Sequence, residues 1–312
     1  MLYDLIIIGA GPAGLAAAIY AKRALLKTLI FEKDLAGGKL NKTADVENYP
    51  GFTKISGPGL AEEITKHALS YDVELKDMEE AIQLTKNDQE LFEIKTKNTT
   101  YFSKTVVVAS GTVENKLKVP GEEEFTNFGV SYCAICDGYL FKGRTVAVAG
   151  GGYSACEAAL YLSNIAEKVY LIHRREEFRV DQEIEQQIKQ NPQIELVLNT
   201  IVSKIGGEEG EQKKLAYLAL KNLKEPQEKK LEVNALFPCI GLLPYTNFLH
   251  SLNVCDKKNY VLVNEKCATA IPGLFAAGDI IHPDRIRQIV TATSDGAIAA
   301  QAATEYLKRT KN

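Results

Sequence analysis

The stretch Leu2-Tyr3-Asp4-Leu5-Ile6-Ile7-Ile8-Gly9-Ala10-Gly11-Pro12-Ala13-Gly14 decides the fold. Its first part, residues 5–8, is a short and nearly unbroken aliphatic run, the pattern of a strand buried on both faces of a parallel sheet. Three glycines follow at spacings of two and three, and the alanine- and leucine-rich residues 15–26 then read as a helix. A strand that enters such a turn and opens a helix is the context in which the turn predicts dinucleotide binding. Gly9 permits the tight turn, Gly11 lets the backbone approach a pyrophosphate, and Gly14 lets the helix pack closely on the strand. Pro12 and Ala13 complete the same cradle, where the helix N-terminus offers unpaired N–H groups to phosphate. Glu32 closes the next apolar run, residues 28–31, and lies 23 residues after Gly9. An acid at that distance can hold ribose hydroxyls.

The stretch has an echo 141 residues on (150 minus 9), in Thr145-Val146-Ala147-Val148-Ala149-Gly150-Gly151-Gly152-Tyr153-Ser154-Ala155. Gly150, Gly152 and Ala155 form the variant in which alanine takes the third position. Counting the same 23 residues from Gly150 reaches His173, followed by Arg174 and Arg175, with Arg179 one turn further. An acid there would repel a ribose 2′-phosphate, whereas arginine pairs with phosphate through two N–H groups. Only eight arginines occur in the chain, and three of them fall within six residues here. The pattern predicts NADPH at the second turn and a different dinucleotide at the first.

Around these two turns the chain alternates between strand and helix patterns. Residues 106–109, 146–149 and 169–172 read as buried strands and residues 155–163 as a helix, which gives the α/β class. Residues 206–230 are dense in Glu, Lys and Gln and read as a solvated hairpin or loop. Turn-rich segments at 111–119 and 241–244 are the candidate linkers. The expected architecture is two Rossmann-like, three-layer domains, a discontinuous one over 1–113 and 243–312 and an inserted one over 114–242. A length of 312 residues suits two domains. With 46% hydrophobic and 25% charged residues and a net charge of -3, the composition is globular and disfavours nucleic acid or an anionic membrane as main partner. No run reaches the ~18 apolar residues of a membrane span, and no basic leader precedes the first strand. A soluble, cytoplasmic protein is expected.

Six cysteines are too few for a disulfide-rich scaffold. Cys133-Ala134-Ile135-Cys136 is the one CxxC, and Cys156, Cys239, Cys255 and Cys267 are scattered singly, so no second pair is present for zinc and no metal is expected. In a reducing compartment such a pair reads as redox-active, closing an exchangeable disulfide when oxidised and holding a reactive thiolate when reduced. Asp137 follows directly, either as the acid for a departing thiolate or as a helix cap. Two nucleotide sites of different chemistry, with a dithiol, imply an electron path between two cofactors.

Taken together these residues resemble the low-molecular-weight, bacterial-type thioredoxin reductases, of the class II pyridine nucleotide-disulfide oxidoreductases. The resemblance runs through residues 9–14, Val46-Glu47-Asn48-Tyr49-Pro50-Gly51, Ser131-Tyr132-Cys133-Ala134-Ile135-Cys136-Asp137-Gly138, His173-Arg174-Arg175 with Phe178-Arg179, Ala277-Gly278-Asp279 and Arg287-Gln288-Ile289. It implies FAD in the first domain, with Asp279 at the ribityl-phosphate region, Asn48, Arg287 and Gln288 in contact with FAD, and Gly37-Gly38-Lys39-Leu40 beside the flavin. It implies NADPH in the second domain, with Ser154 and Glu157 near it, although Glu157 reads equally as helix surface. Electrons would pass from NADPH through FAD to Cys133–Cys136 and on to thioredoxin, with Cys136 facing the flavin and Cys133 attacking the partner. The family is homodimeric, and its NADPH domain rotates on two linkers. Lys39 stands where the family usually has Gln, a cation able to raise the flavin's potential or alter NADPH access, and Tyr153 replaces Asp or Asn. The alternatives are a flavin-dependent dithiol oxidase of the same fold and a non-enzymatic nucleotide-sensing or zinc-stabilised module.

Overall fold

The computed structural model describes residues 2–43, 45–208, 213–225, 228–281 and 287–310. It divides into two compact units, Met1–Val113 with Leu243–Asn312, and Glu114–Leu242.

In the first unit β1 (Leu2–Ile8) lies between β2 (Thr28–Phe31) and the strand Thr100–Val108, parallel to both. Leu5, Ile6 and Ile7 are fully buried. Each such side chain contributes about 1.5–3 kcal/mol, which is why the run admits no polar alternation. Between the strands runs α1 (Pro12–Arg23), three residues earlier at each end than the apolar pattern suggested. Proline suits a first helical position because its missing N–H would be unpaired there. Beyond the last turn Leu25 adopts a φ of +61°, which no helix can continue. The long strand Thr100–Val108 shares one edge between two neighbours. Phe92–Lys95 pairs antiparallel with its beginning, and Leu274–Ala276 pairs parallel with its end, Ala276 opposite Val108. That late strand carries the chain back into the first sheet. The helix Ile289–Thr310 then packs on α1 through small residues, and a methyl added at Gly296 would lie 2.0 Å from the Ala13 carbonyl oxygen.

The second unit repeats the motif. Thr145–Ala149 and Lys168–Ile172 pair in parallel, Thr145 opposite Lys168, with the helix Tyr153–Ser163 between them. Ile194–Val197 and Ala235–Pro238 complete a four-stranded sheet. The hairpin pairing expected for residues 206–230 is present, and it is the expectation of a solvated segment that needs correction. Thr200–Glu208, Lys214–Asn222 and Glu228–Glu232 form a three-stranded antiparallel sheet, and Leu215, Leu218 and Leu220 are buried with Val202, Ile205 and Leu236. This face is core. Residues 209–212 and 226–227 lie outside the described residues.

The crossing segments are ordered by backbone bonds within each unit. Tyr245 N–H donates to the Gly111 carbonyl in the first, and Asn115 N–H to the Gly241 carbonyl in the second. Just beyond, the Glu122 carboxylate is 1% exposed and accepts from Leu117 N–H at 2.8 Å, Lys118 N–H at 2.6 Å and the Tyr132 hydroxyl at 2.8 Å. A carboxylate can be buried only with partners of this kind. Among the described residues no helix is long and apolar enough to cross a membrane.

Candidate active site

The first glycine turn is shaped by what it cannot accommodate. Gly9 has a φ of +106°, and a methyl there would lie 2.4 Å from the Ala109 carbonyl oxygen. At Gly14 it would lie 1.8 Å from the Gly9 oxygen. Both positions therefore exclude any side chain. Gly11, between them, faces open space, with no atom within 4 Å of an added methyl. Gly37-Gly38-Lys39-Leu40 and Asp279 converge on this turn. A methyl on Gly38 would sit 3.1 Å from the Gly11 Cα, and one on Gly278 would sit 2.9 Å from the Ala13 Cβ.

Glu32 is buried at the end of β2 and accepts N–H bonds from Ala10 at 2.8 Å and Asp34 at 3.0 Å. Burial pushes its pKa up, against the pull of those two donors. Beside it opens a cleft lined by Gly9, Glu32, Glu80, Ser110, Tyr245 and Phe248. The Lys39 ammonium is 3.2 Å from the Asp279 carboxylate and is also bonded to the Thr112 hydroxyl. The Asn48 amide donates to Gln288 at 3.1 Å. Arg287, two residues before the helix that Ile289 begins, lies over the Tyr260 ring at 5.3 Å and donates to its hydroxyl. Its buried Nε has no partner among the described residues. Open ground over Gly11, an acid at ribose distance and an orphaned guanidinium donor fit a bound dinucleotide.

In the second unit Gly152 likewise faces open space, while Ala155 is fully buried where the helix meets the sheet. Tyr153, Ser154 and Glu157 are exposed on the first turns of that helix. The structure separates His173 from its arginine neighbours. Its ring is 4% exposed, stacks on Phe178 at 5.5 Å, and has Nε2 3.2 Å from the Glu177 carbonyl. A methyl on Gly151 would strike it at 2.3 Å, so the imidazole lies directly under the glycine loop. Burial, reinforced by the three arginines, lowers its pKa. Arg174, Arg175 and Arg179 are exposed, and Arg179 N–H donates to the Gly151 carbonyl at 2.8 Å, which ties the backbone of that arginine to the loop.

Cys133 and Cys136 are joined by a disulfide, with Cys133 capping the short helix Ala134–Asp137. Cys136 N–H points at the Cys133 sulfur, 3.1 Å away. On reduction that donor favours a thiolate at Cys133. The Asp137 carboxylate accepts a 2.6 Å bond from the Ser131 hydroxyl, a residue whose importance the sequence did not signal beyond its place in the motif. By contrast, burial pushes the Cys156 thiol up to about 11 and that of Cys239 up to about 12. Both stay protonated and inert at neutral pH. Among the described residues no group of His, Cys, Asp and Glu could hold a metal ion.

Comparison with known proteins adds to this geometry. The family model described as pyridine nucleotide-disulphide oxidoreductase matches residues 3–296. A thioredoxin reductase of Listeria innocua is 39% identical over 312 residues, spanning 99% of this chain and 95% of the relative. One of Treponema pallidum is 39% identical over 311 residues, 99% of each chain. Among solved structures, the thioredoxin reductase of Lactococcus lactis superposes with a TM-score of 0.92 at 35% identity, covering 98% of this chain and 99% of its own. That of T. acidophilum gives 0.89 at 35% identity, covering 97% and 98%.

Proposed function

The chain belongs to the pyridine nucleotide-disulphide oxidoreductases, and on that premise we propose that it is an NADPH-dependent flavoenzyme that reduces the disulfide of thioredoxin. The observation that carries the reading is the Cys133–Cys136 disulfide, set in a unit with its own dinucleotide turn, in a chain that has a second turn of opposite chemistry. FAD belongs in the first cradle, where Gly9, Gly11, Pro12, Ala13 and Gly14 receive the pyrophosphate and Glu32 the ribose. Gly37 to Leu40, Asn48, Asp279, Arg287, Gln288 and Ile289 surround the rest. NADPH belongs in the second cradle, with Arg174, Arg175 and Arg179 for its 2′-phosphate. When bound, the two cofactors supply a hydride and relay two electrons to a disulfide.

The remaining steps fall to the cysteines. The Cys133 thiolate attacks the thioredoxin disulfide, a Cys133–thioredoxin bond forms, and one thioredoxin sulfur leaves as thiolate. The Cys136 thiol then gives up its proton and attacks the Cys133 sulfur. This restores the pair and releases the second thioredoxin sulfur, which takes up the proton. Tyr139 and Leu140, 68% and 74% exposed just after the disulfide, offer apolar contact to a protein partner. Exposed Tyr20, Val290 and Ile298 on the first unit suit a homodimer. Free thiols at Cys156, Cys239 and Cys255 suit the reducing cytoplasm.

Anaerobic addition of NADPH should bleach the flavin, and oxidised thioredoxin should restore its colour. A flavin that NADPH leaves oxidised would overturn the reading. NADPH should be preferred over NADH, and neutralising Arg174 and Arg175 should erode the preference through KM. Each charge-assisted phosphate contact contributes about 1.5–3 kcal/mol, or on the order of tenfold or more. Equal use of both nucleotides by the unmodified enzyme would reduce the cluster to surface charge.

Lys39 is expected to tune the flavin. Removing its ammonium in Lys39→Gln leaves the Asp279 carboxylate without that counter-charge beside a cofactor that becomes anionic on reduction. FAD should stay bound while its reduction potential falls, by about 30 mV for each tenfold change in the redox equilibrium. An unchanged potential in a dye-equilibration titration would remove the side chain from this role.

A further inference from the structure

Resting on the reading above, we propose that Ser131 is a positioning residue for catalysis, aiming the Asp137 carboxylate at the cysteine pair. Ser131 lies outside the CxxC, yet its hydroxyl sits at the centre of the loop. It donates to Asp137 Oδ2 at 2.6 Å and accepts from Cys133 N–H at 3.1 Å. A hydroxyl has one proton to give. The Cys133 carbonyl, at 3.3 Å, is the weaker competitor for it, and a carboxylate is the stronger acceptor.

The hydroxyl is also fixed in place. Ser131 is 7% exposed, and its own N–H donates at 3.0 Å to the carbonyl of Leu236, a fully buried residue in the strand Ala235–Pro238. Val130 before it is fully buried as well. Asp137 is thereby tied to the sheet at its side chain and, through its N–H to the Cys133 carbonyl at 3.1 Å, to the loop at its backbone. With Oδ2 engaged by Ser131, Oδ1 is the oxygen assigned to proton transfer.

The step it serves is the second exchange. The Cys136 S–H proton passes to the Asp137 carboxylate as the Cys136 sulfur bonds to the Cys133 sulfur. The Cys133–thioredoxin bond breaks, its electron pair stays on the thioredoxin sulfur, and the proton moves from Asp137 to that sulfur. No additional oxidant or reductant enters. A carboxylate that swings loses this alignment, and small misplacements of a reacting group are costly.

The test compares the intact holoenzyme with Ser131→Ala, Asp137→Ala and the double variant, using NADPH and thioredoxin. Ser131→Ala is expected to lower kcat about tenfold while leaving KM for both substrates and the melting temperature in place. In the Asp137→Ala background, Ser131→Ala should cost nothing more, because the residue it acts through is gone. Multiplicative losses in the double variant, or an unchanged kcat in Ser131→Ala, would overturn the inference while the functional reading stands. Should Ser131→Ala melt early, the same comparison of kcat within the Asp137→Ala background still decides. Wild-type enzyme that fails to reduce thioredoxin overturns the functional reading itself.

Discussion

A Cys136→Ser variant is expected to form a stable mixed disulfide with thioredoxin through Cys133, and to lose turnover. The thioredoxin used should lack its resolving cysteine and carry its remaining thiol as a mixed disulfide with a chromophoric leaving group, so that each capture is counted by colour. The Cys136 N–H, 3.1 Å from the Cys133 sulfur, remains available when residue 136 is serine, since it belongs to the backbone. It therefore continues to favour thiolate at Cys133. With no second thiol to resolve the adduct, the cross-link persists. Cys133→Ser should trap poorly, because it removes the sulfur to which that donor points. Preferential capture through Cys136 would reverse the assignment of the two roles.

The second large effect concerns the first glycine turn. The purified protein should be yellow, with FAD bound without covalent linkage, and both Gly11→Ala and Gly14→Ala should be colourless for different reasons. At Gly14 the new methyl would fall 1.8 Å from the Gly9 oxygen, so the backbone itself has to move. Overpacking of this kind costs about 1–3 kcal/mol or more, and the melting temperature of Gly14→Ala should drop. At Gly11 the methyl meets no protein atom within 4 Å, so the fold should survive. It occupies the ground proposed for the pyrophosphate, and FAD should be lost from a stable chain. A yellow Gly11→Ala would move the pyrophosphate elsewhere.

Both strand–turn–helix units were legible because sterics and burial leave few alternatives. A strand covered on both faces must be aliphatic throughout, and a helix that starts against a strand end leaves room there for little more than glycine or alanine. The three-stranded sheet of the second unit was obscured because its outward positions carry so many charges that Leu215, Leu218 and Leu220 do not stand out. Counting from Gly150 located His173 in the chain, but no count reveals that its ring turns inward beneath Gly151. Lys39 and Asp279 are 240 positions apart, and no local pattern joins them. Ser131 shows the same limit, since serine is common on every surface and only a contact distinguishes one from another.

The late return of the chain to the first sheet also sets an order for biosynthesis. Residues 114–242 leave the ribosome as a contiguous segment and can complete their own core as soon as they emerge. Residues 1–113 emerge earlier yet must wait. The strand Leu274–Ala276, Asp279 and the helix whose Gly296 seats against Ala13 are all translated more than 150 residues after Pro12. The first nucleotide cradle to be synthesised is thus the last to close. A complete flavin cradle therefore requires the whole chain, whereas the cysteine-bearing unit draws on its own contiguous residues alone.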